Sequence, residues 1–161
     1  MRVAVGHDQL GNPNNDGAFV EIGWIKAPGV YGNGRFVYAA WQPTVGSYDN
    51  KIILKLATGD WSAHDYRVAV KNDNQTQWSF MFDGTVKHTI APGFSRGSEV
   101  GCGGEADNSQ NAIGAAACWN VRYKNNNLTS WVWLPSHLKR VSSGYQVYDY
   151  STYSWQSSGN N

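Results

Sequence analysis

The sequence contains no long hydrophobic run and few charges. No stretch approaches the ~18 apolar residues that a membrane-spanning helix requires. The opening MRVAVGHDQLGNPNND also lacks the apolar core of a signal peptide, so we expect a mature or engineered start. Charged residues are only 16% of 161 residues, the formal net charge is +1, and the basic residues are scattered. This composition gives no clustered positive charge that would attract nucleic acid or an anionic membrane, so we expect neither as a partner.

Patterns typical of metal sites and of several enzyme classes are also missing. The four histidines show no pair at metal-ligand spacing, and the two cysteines are too far apart for a zinc knuckle. The sequence has neither a GxSxG motif nor a glycine-rich phosphate loop, and no serine stands out as a nucleophile. We therefore expect no metal and no cofactor.

Cysteine is scarce, and the two cysteines are candidates for a disulfide. Cys102 and Cys118 are separated by a loop rich in glycine and alanine. A bridge that closes so short a ring would stabilise the fold by roughly 3 kcal/mol. Two buried thiols are the alternative, and the sequence leaves both open.

Aromatic residues and glycine are plentiful, at 14% aromatic and 18 glycines. Period-two alternation recurs along the chain and helical periodicity is absent, which predicts an all-β protein. We expect an antiparallel β-sandwich or jelly roll forming one domain over 1–161, with 1–16 and 156–161 as flexible ends. The predicted strands are 18–26, 34–42, 51–58, 64–72, 76–83, 85–90, 98–104, 115–123, 128–134 and 145–150, followed by a terminal strand within STYSWQSSGNN. The Asp-Gly pair between SFMF and TVKHT predicts a hairpin.

Two glutamates occur in unusual contexts. In VEIGW, Glu21 shares one predicted strand face with Phe19 and Ile25, an unfavourable place for a charge unless a donor satisfies it. The alternative, which the pattern taken alone favours, is that this face of the strand faces solvent. In VGCGGEADNS, Glu105 follows two glycines, which allow a ligand or another backbone to approach closely. The alternative is a loop glutamate that caps a turn.

Three segments together resemble the neprosin-type glutamic peptidases, β-sandwich enzymes with a pair of catalytic glutamates. VEIGWIKAPGVYGNGRFVYAAW at 20–41 resembles the stretch in which a glutamate or glutamine precedes Gly-Trp, then Pro, Tyr-Gly, Arg-Phe and an aromatic strand. HDYRVAVKNDNQTQWSF resembles the pair of strands that follows, and VGCGGEADNS resembles the family's Gly-Gly-Glu motif. The resemblance covers roughly positions 17 to 123. The fungal-type glutamic peptidases, which use Gln and Glu on a similar sandwich, are more distantly similar.

The resemblance implies that Glu21 and Glu105 are the catalytic pair of an endopeptidase active at acidic pH, with a preference around proline. Two carboxyl groups in one cleft titrate as a unit, so one accepts a proton from the attacking water while its protonated partner stabilises the oxyanion or protonates the leaving group. A polypeptide substrate, secretion and a monomeric state are further expectations. The aromatic residues that would line the cleft or the core, and are our candidates for substrate binding, are Trp24, Tyr38, Trp41 and Trp78.

Two other functions remain open from the sequence. A non-catalytic, lectin-like sandwich would use the eight Trp and nine Tyr to stack on sugars and would need no paired glutamates. A glycoside hydrolase would use two carboxylates on a jelly roll, and the tail YSWQSSG faintly resembles some xylanases.

Overall fold

The computed structural model describes residues 2–6, 17–44, 46–71, 76–94, 97, 99–104, 113–124, 130–134, 139, 141, 143–151 and 153–159. These residues form antiparallel β-strands and one four-residue helix, which confirms the all-β prediction. The elements are β1 Arg2–Gly6, β2 Phe19–Ile25, α1 Pro28–Tyr31, β3 Phe36–Gln42, β4 Asp49–Lys55, β5 Tyr66–Val70, β6 Trp78–Phe82, β7 Thr85–Ile90, β8 Glu99–Gly103, β9 Ile113–Cys118, β10 Arg122–Tyr123, β11 Val132–Trp133, β12 Tyr145–Ser151 and β13 Ser154–Gly159. No helix in these ranges is long and apolar enough to cross a bilayer.

The chain divides into two compact units, Arg2–Gly101 and Cys102–Asn161. In the first unit, a sheet of order β4-β3-β2-β1-β8 and a three-stranded sheet β5-β6-β7 contribute to one apolar core. Two sheets that bury apolar faces against a shared core form a β-sandwich. That the whole chain acts as one domain stays a prediction.

Alternation along the strands explains the core of the first unit. Successive side chains of a strand point to opposite faces, so one parity of each strand enters the core. The larger sheet supplies Val20, Ile22, Val37 and Ala39, and the smaller sheet supplies Val68, Trp78, Phe80 and Phe82. Burying a side chain the size of Val or Phe stabilises the fold by about 1.5 to 3 kcal/mol.

The predicted Asp-Gly hairpin is confirmed. Asp83 and Gly84 connect β6 to β7 with φ of 48° and 72°. Both residues are therefore left-handed, as a two-residue type I′ turn requires to match the twist of its strands. The side chain of Asp83 also accepts a 2.9 Å hydrogen bond from the backbone N–H of Asp65, next to β5.

In the second unit, β12, β13 and β9 form a three-stranded sheet, and β10 pairs with β11. Cys102 and Cys118 form a disulfide, which resolves the choice that the sequence left open. Trp155 and Val121 pack with Cys118 in a small core. The indole N–H of Trp155 donates a 3.1 Å hydrogen bond to the carbonyl of Cys102.

The ends and one middle strand differ from the sequence-based expectations. Residues 2–6, within the segment predicted as a flexible end, form β1 because RVAVG alternates and pairs with β2. Residues 156–159 belong to β13, which is hydrogen-bonded to strands on both sides. The single strand predicted over 115–123 is divided, because Asn120 has a φ of 56° and donates its backbone N–H to the hydroxyl of Ser154.

Candidate functional site

Glu21 is buried in the middle of β2. Its exposed fraction is 3%, so the alternative of a solvent-facing Glu21 is wrong. Val20 and Ile22 point into the core between the two sheets, and Glu21 lies on the opposite face, which is also buried. Burying a carboxyl is expensive unless polar partners satisfy it, so its neighbours require an explanation.

The cross-strand neighbours of Glu21 are small. It pairs with Ala4 of β1 on one side and with Ala40 of β3 on the other. Cross-strand partners share a face and lie about 5 Å apart, so the three residues form a row in which only Glu21 carries a long side chain.

Tyr38 is the described hydrogen-bond donor to this carboxyl. Tyr38 pairs with Gly23, two residues beyond Glu21, and therefore lies on the same face. Its hydroxyl donates a 2.9 Å hydrogen bond to Oε1 of Glu21. The missing side chain at Gly23 leaves room for the phenol ring to lean along the strand toward Glu21. Tyr38 was predicted from the sequence only as a substrate-binding aromatic, and this contact with Glu21 was missed.

Glu105 lies outside the described residues, which reach Gly104 on this segment. The backbone N–H of Gly104 donates a 3.4 Å hydrogen bond to the hydroxyl of Ser157 in β13. A Cβ added at Gly103 would lie 3.7 Å from the same hydroxyl, an ordinary contact distance. The disulfide at Cys102 holds the chain immediately before the two glycines.

Three predicted substrate-binding residues point toward the core. Trp24 and Trp41 are half-buried, on the core side of β2 and β3, and Trp41 packs against Phe80. Trp78 is 3% exposed and donates its indole N–H to the carbonyl of Phe94 at 2.7 Å. The structure therefore places Tyr38, and none of these three tryptophans, on the face of Glu21. A role of the four residues in substrate binding stays a prediction.

The loop 57–65 carries a polar cluster that was not predicted from the sequence. His64 Nδ1 lies 2.9 Å from Asp83 Oδ2, and His64 Nε2 lies 3.2 Å from Asp60 Oδ2 and 3.3 Å from Ser62 Oγ. Ser62 donates its hydroxyl to Asp60. Because the hydroxyl of Ser62 already donates its proton to Asp60, this arrangement does not direct the serine proton to His64. It fixes a loop to a turn and does not form a nucleophilic triad.

Electrostatics around this cluster follow from its contacts. The hydroxyl and backbone N–H of Ser62 hold the pKa of Asp60 below its usual value. Burial raises the pKa of Tyr66 well above its usual value, and the Asp83 carboxylate acts in the same direction. On the neighbouring hairpin, burial lowers the pKa of His88, with a further contribution from Lys51.

Within the described ranges, no group of three or more His, Cys, Asp or Glu side chains is arranged to hold a metal ion.

Comparisons with known proteins add a fold likeness. No family model matches the sequence, and no curated protein matches it. Among solved structures, aspergilloglutamic peptidase from Aspergillus niger is similar, with a TM-score of 0.55 and 12% sequence identity. The match covers 98% of this chain and 97% of that chain. The protein therefore has a fold similar to that of a glutamic peptidase, and the resemblance to the neprosin type stays a prediction.

Proposed function

We propose that the protein is a glutamic-type endopeptidase that hydrolyses peptide bonds at acidic pH, with Glu21 and Glu105 as its catalytic groups. The observation that carries this proposal is the burial of Glu21 in the middle of a sheet, with the hydroxyl of Tyr38 bonded to its carboxyl and Ala4 and Ala40 as its cross-strand partners. A buried ionisable side chain is a candidate for chemistry.

The strand that precedes Glu105 lies in the same sheet as Glu21. The strand β8, which ends two residues before Glu105, belongs to the same sheet as β2 and is separated from it by β1. Neighbouring strands lie about 4.8 Å apart, so these two strands are about 10 Å apart.

In the proposed reaction, one glutamate is ionised and accepts a proton from the attacking water. Its protonated partner donates a hydrogen bond to the developing oxyanion and then protonates the leaving amine. The hydroxyl of Tyr38 orients the carboxyl group of Glu21. Because one partner must remain protonated, cleavage requires acidic pH.

The fold likeness to aspergilloglutamic peptidase supports the peptidase class. A preference around proline rests on the resemblance of 20–41 and 100–109 to the neprosin type. The disulfide supports a location in an oxidising compartment, so we include secretion in the proposal.

The test is cleavage of a denatured, proline-containing protein from about pH 3 to about pH 7. The samples are the unaltered chain, Glu21→Gln, Glu105→Gln and the control Glu99→Gln, which alters another glutamate on the same segment. We expect acid-dependent cleavage by the unaltered chain and by Glu99→Gln, and its loss in the other two variants. Circular dichroism checks that every variant is folded. Full activity in either Glu21→Gln or Glu105→Gln, or no cleavage by the folded unaltered chain, would refute the proposal.

A further inference from the structure

The second unit presents an exposed aromatic surface on one face of its three-stranded sheet. We name the residues Trp119, Tyr148, Tyr150 and Gln156 the aromatic platform. Trp119 follows β9, the two tyrosines belong to β12, and Gln156 belongs to β13. The platform therefore draws on all three strand regions of one sheet.

The strand register separates this surface from the small core. Asp149, Trp155 and Cys118 are partners across the sheet, and Trp155 and Cys118 are buried in the core on that side. Tyr148 pairs with Gln156, one residue away along each strand, and therefore points to the opposite side. That side carries the platform.

The three rings of the platform are exposed, and two of them, Trp119 and Tyr150, are held in place by their contacts. Trp119 is 56% exposed, Tyr148 is 52% exposed and Tyr150 is 55% exposed. The rings of Trp119 and Tyr150 stack with centroids 4.8 Å apart and an interplanar angle of 19°. The hydroxyl of Tyr150 donates a 2.5 Å hydrogen bond to Oε1 of Gln156. A prearranged group of rings loses little conformational entropy when a ligand binds.

The charge of the surface indicates which ligand it suits. The register places Gln146, Ser158 and Ala117 on the same side as Tyr148 and Gln156. All of these residues are uncharged, as are Trp119 and Tyr150. Amide and hydroxyl groups therefore lie beside aromatic rings on this surface. An anionic or cationic polymer would find no opposite charge among these residues, whereas an uncharged ligand that combines apolar faces with hydroxyl groups would match them.

We propose that the aromatic platform binds a neutral polysaccharide built of pyranose rings with equatorial substituents. Such a ring has flat C–H faces that stack on Trp and Tyr, and hydroxyl groups at its rim that bond to glutamine and serine side chains. This function is additional to the proposed peptidase. It would hold the protein on a polysaccharide matrix while the site at Glu21 acts on a polypeptide.

The experiment measures depletion of the folded chain from solution by microcrystalline cellulose and by chitin beads. The variants are Trp119→Ala and Tyr148→Ala, and the control is Trp61→Ala, which removes a tryptophan that is 82% exposed in the first unit. We expect the unaltered chain to bind at least one of the two polysaccharides. Trp119→Ala is expected to lower the partition coefficient about tenfold, as loss of a central aromatic contact does, and Trp61→Ala is expected to leave it unchanged. Tyr148→Ala, which retains the stack of Trp119 on Tyr150, is expected to have a smaller effect.

Three results would overturn the proposal. The first is the absence of binding to both polysaccharides, and the second is binding that Trp119→Ala and Tyr148→Ala do not weaken. The third is a different occupant: retention on a polyproline resin, or concentration-dependent dimerisation, that is lost in the platform variants while polysaccharide binding is absent. Since the platform variants do not alter Glu21 or Glu105, peptide cleavage measured on the same samples tests the peptidase proposal separately.

Discussion

The hydroxyl of Tyr38 donates a 2.9 Å hydrogen bond to Oε1 of Glu21, between neighbouring strands of the larger sheet. A carboxyl that is buried between two alanines depends on such a donor for its orientation. The bond therefore connects Glu21 on β2 to Tyr38 on the neighbouring strand β3.

Replacing Tyr38 by Phe removes this hydrogen bond and keeps the ring. We expect the free energy of unfolding to fall by about 1 to 2 kcal/mol, because a buried acceptor loses a partner. If Glu21 is catalytic, kcat falls about tenfold or more, since the carboxyl is held less well. Urea denaturation and the cleavage assay measure the two effects.

The matched control is Tyr31→Phe, which removes a hydroxyl whose 3.4 Å contact with Asn50 is exposed. We expect little change in stability there, because an exposed hydroxyl exchanges its partner for water. Equal losses in the two variants would contradict the importance assigned to the bond with Glu21.

The disulfide makes a second prediction. Cys102 and Cys118 are 16 residues apart. Removing a disulfide that closes a ring of that size raises the entropy of the unfolded chain and destabilises the fold by about 3 kcal/mol. The double variant Cys102→Ala with Cys118→Ala should unfold at a lower urea concentration than the oxidised chain. Addition of a reductant should lower the midpoint of the unaltered chain and leave that of the double variant unchanged, and a reductant-insensitive unaltered chain would contradict the prediction.

The third prediction compares two glycines, Gly84 in the turn after β6 and Gly29 in α1. An added Cβ meets nothing within 4 Å at either Gly84 or Gly29, but only Gly84 has a positive φ, of 72°. Gly84→Ala should therefore destabilise the fold by about 1 kcal/mol through backbone strain alone. Gly29→Ala in α1 should be neutral or stabilising by up to about 1 kcal/mol, because alanine restricts the unfolded chain more. Thermal unfolding of both variants checks the contrast, which is refuted if their midpoints shift alike.

The fourth prediction concerns Asp60 and pH. Hydrogen bonds from Ser62 lower the pKa of Asp60 in the folded protein below the ordinary value of 3.8. These bonds therefore stabilise the fold above about pH 3.8, and this stabilisation is lost as the pH falls through the lower, folded pKa. Carbon NMR titration of the carboxyl should give a midpoint below 3.8 in the unaltered chain and a higher one in Ser62→Ala. Ser62→Thr, which keeps a hydroxyl, should retain most of the shift, and an unchanged midpoint in Ser62→Ala would contradict the assignment.

Much of the fold follows from local patterns in the sequence. The strand 85–90 and the Asp-Gly hairpin were predicted as they occur, because alternation and turn chemistry are local properties. The division of 115–123 was missed, because it depends on the left-handed backbone of Asn120 and its bond to Ser154, thirty-four residues away.

The candidate site was only partly predictable for the same reason. Alternation placed Glu21 on the face opposite Val20 and Ile22, and the structure confirms this. That the face is buried, and that Ala4 and Tyr38 lie beside Glu21, depends on which strands pair and in what register. No single strand contains that information.

The burial of both faces of β2 has a consequence for how the sheet assembles. If β2 slipped by one residue against its neighbours, the carboxyl of Glu21 would enter the apolar core and Val20 or Ile22 would leave it. A misaligned sheet would thus bury a charge without a partner and lose apolar contacts in a single step. Glu21 therefore raises the free energy of a sheet with a shifted register. An apolar residue at this position would remove that penalty, whether or not the protein is an enzyme.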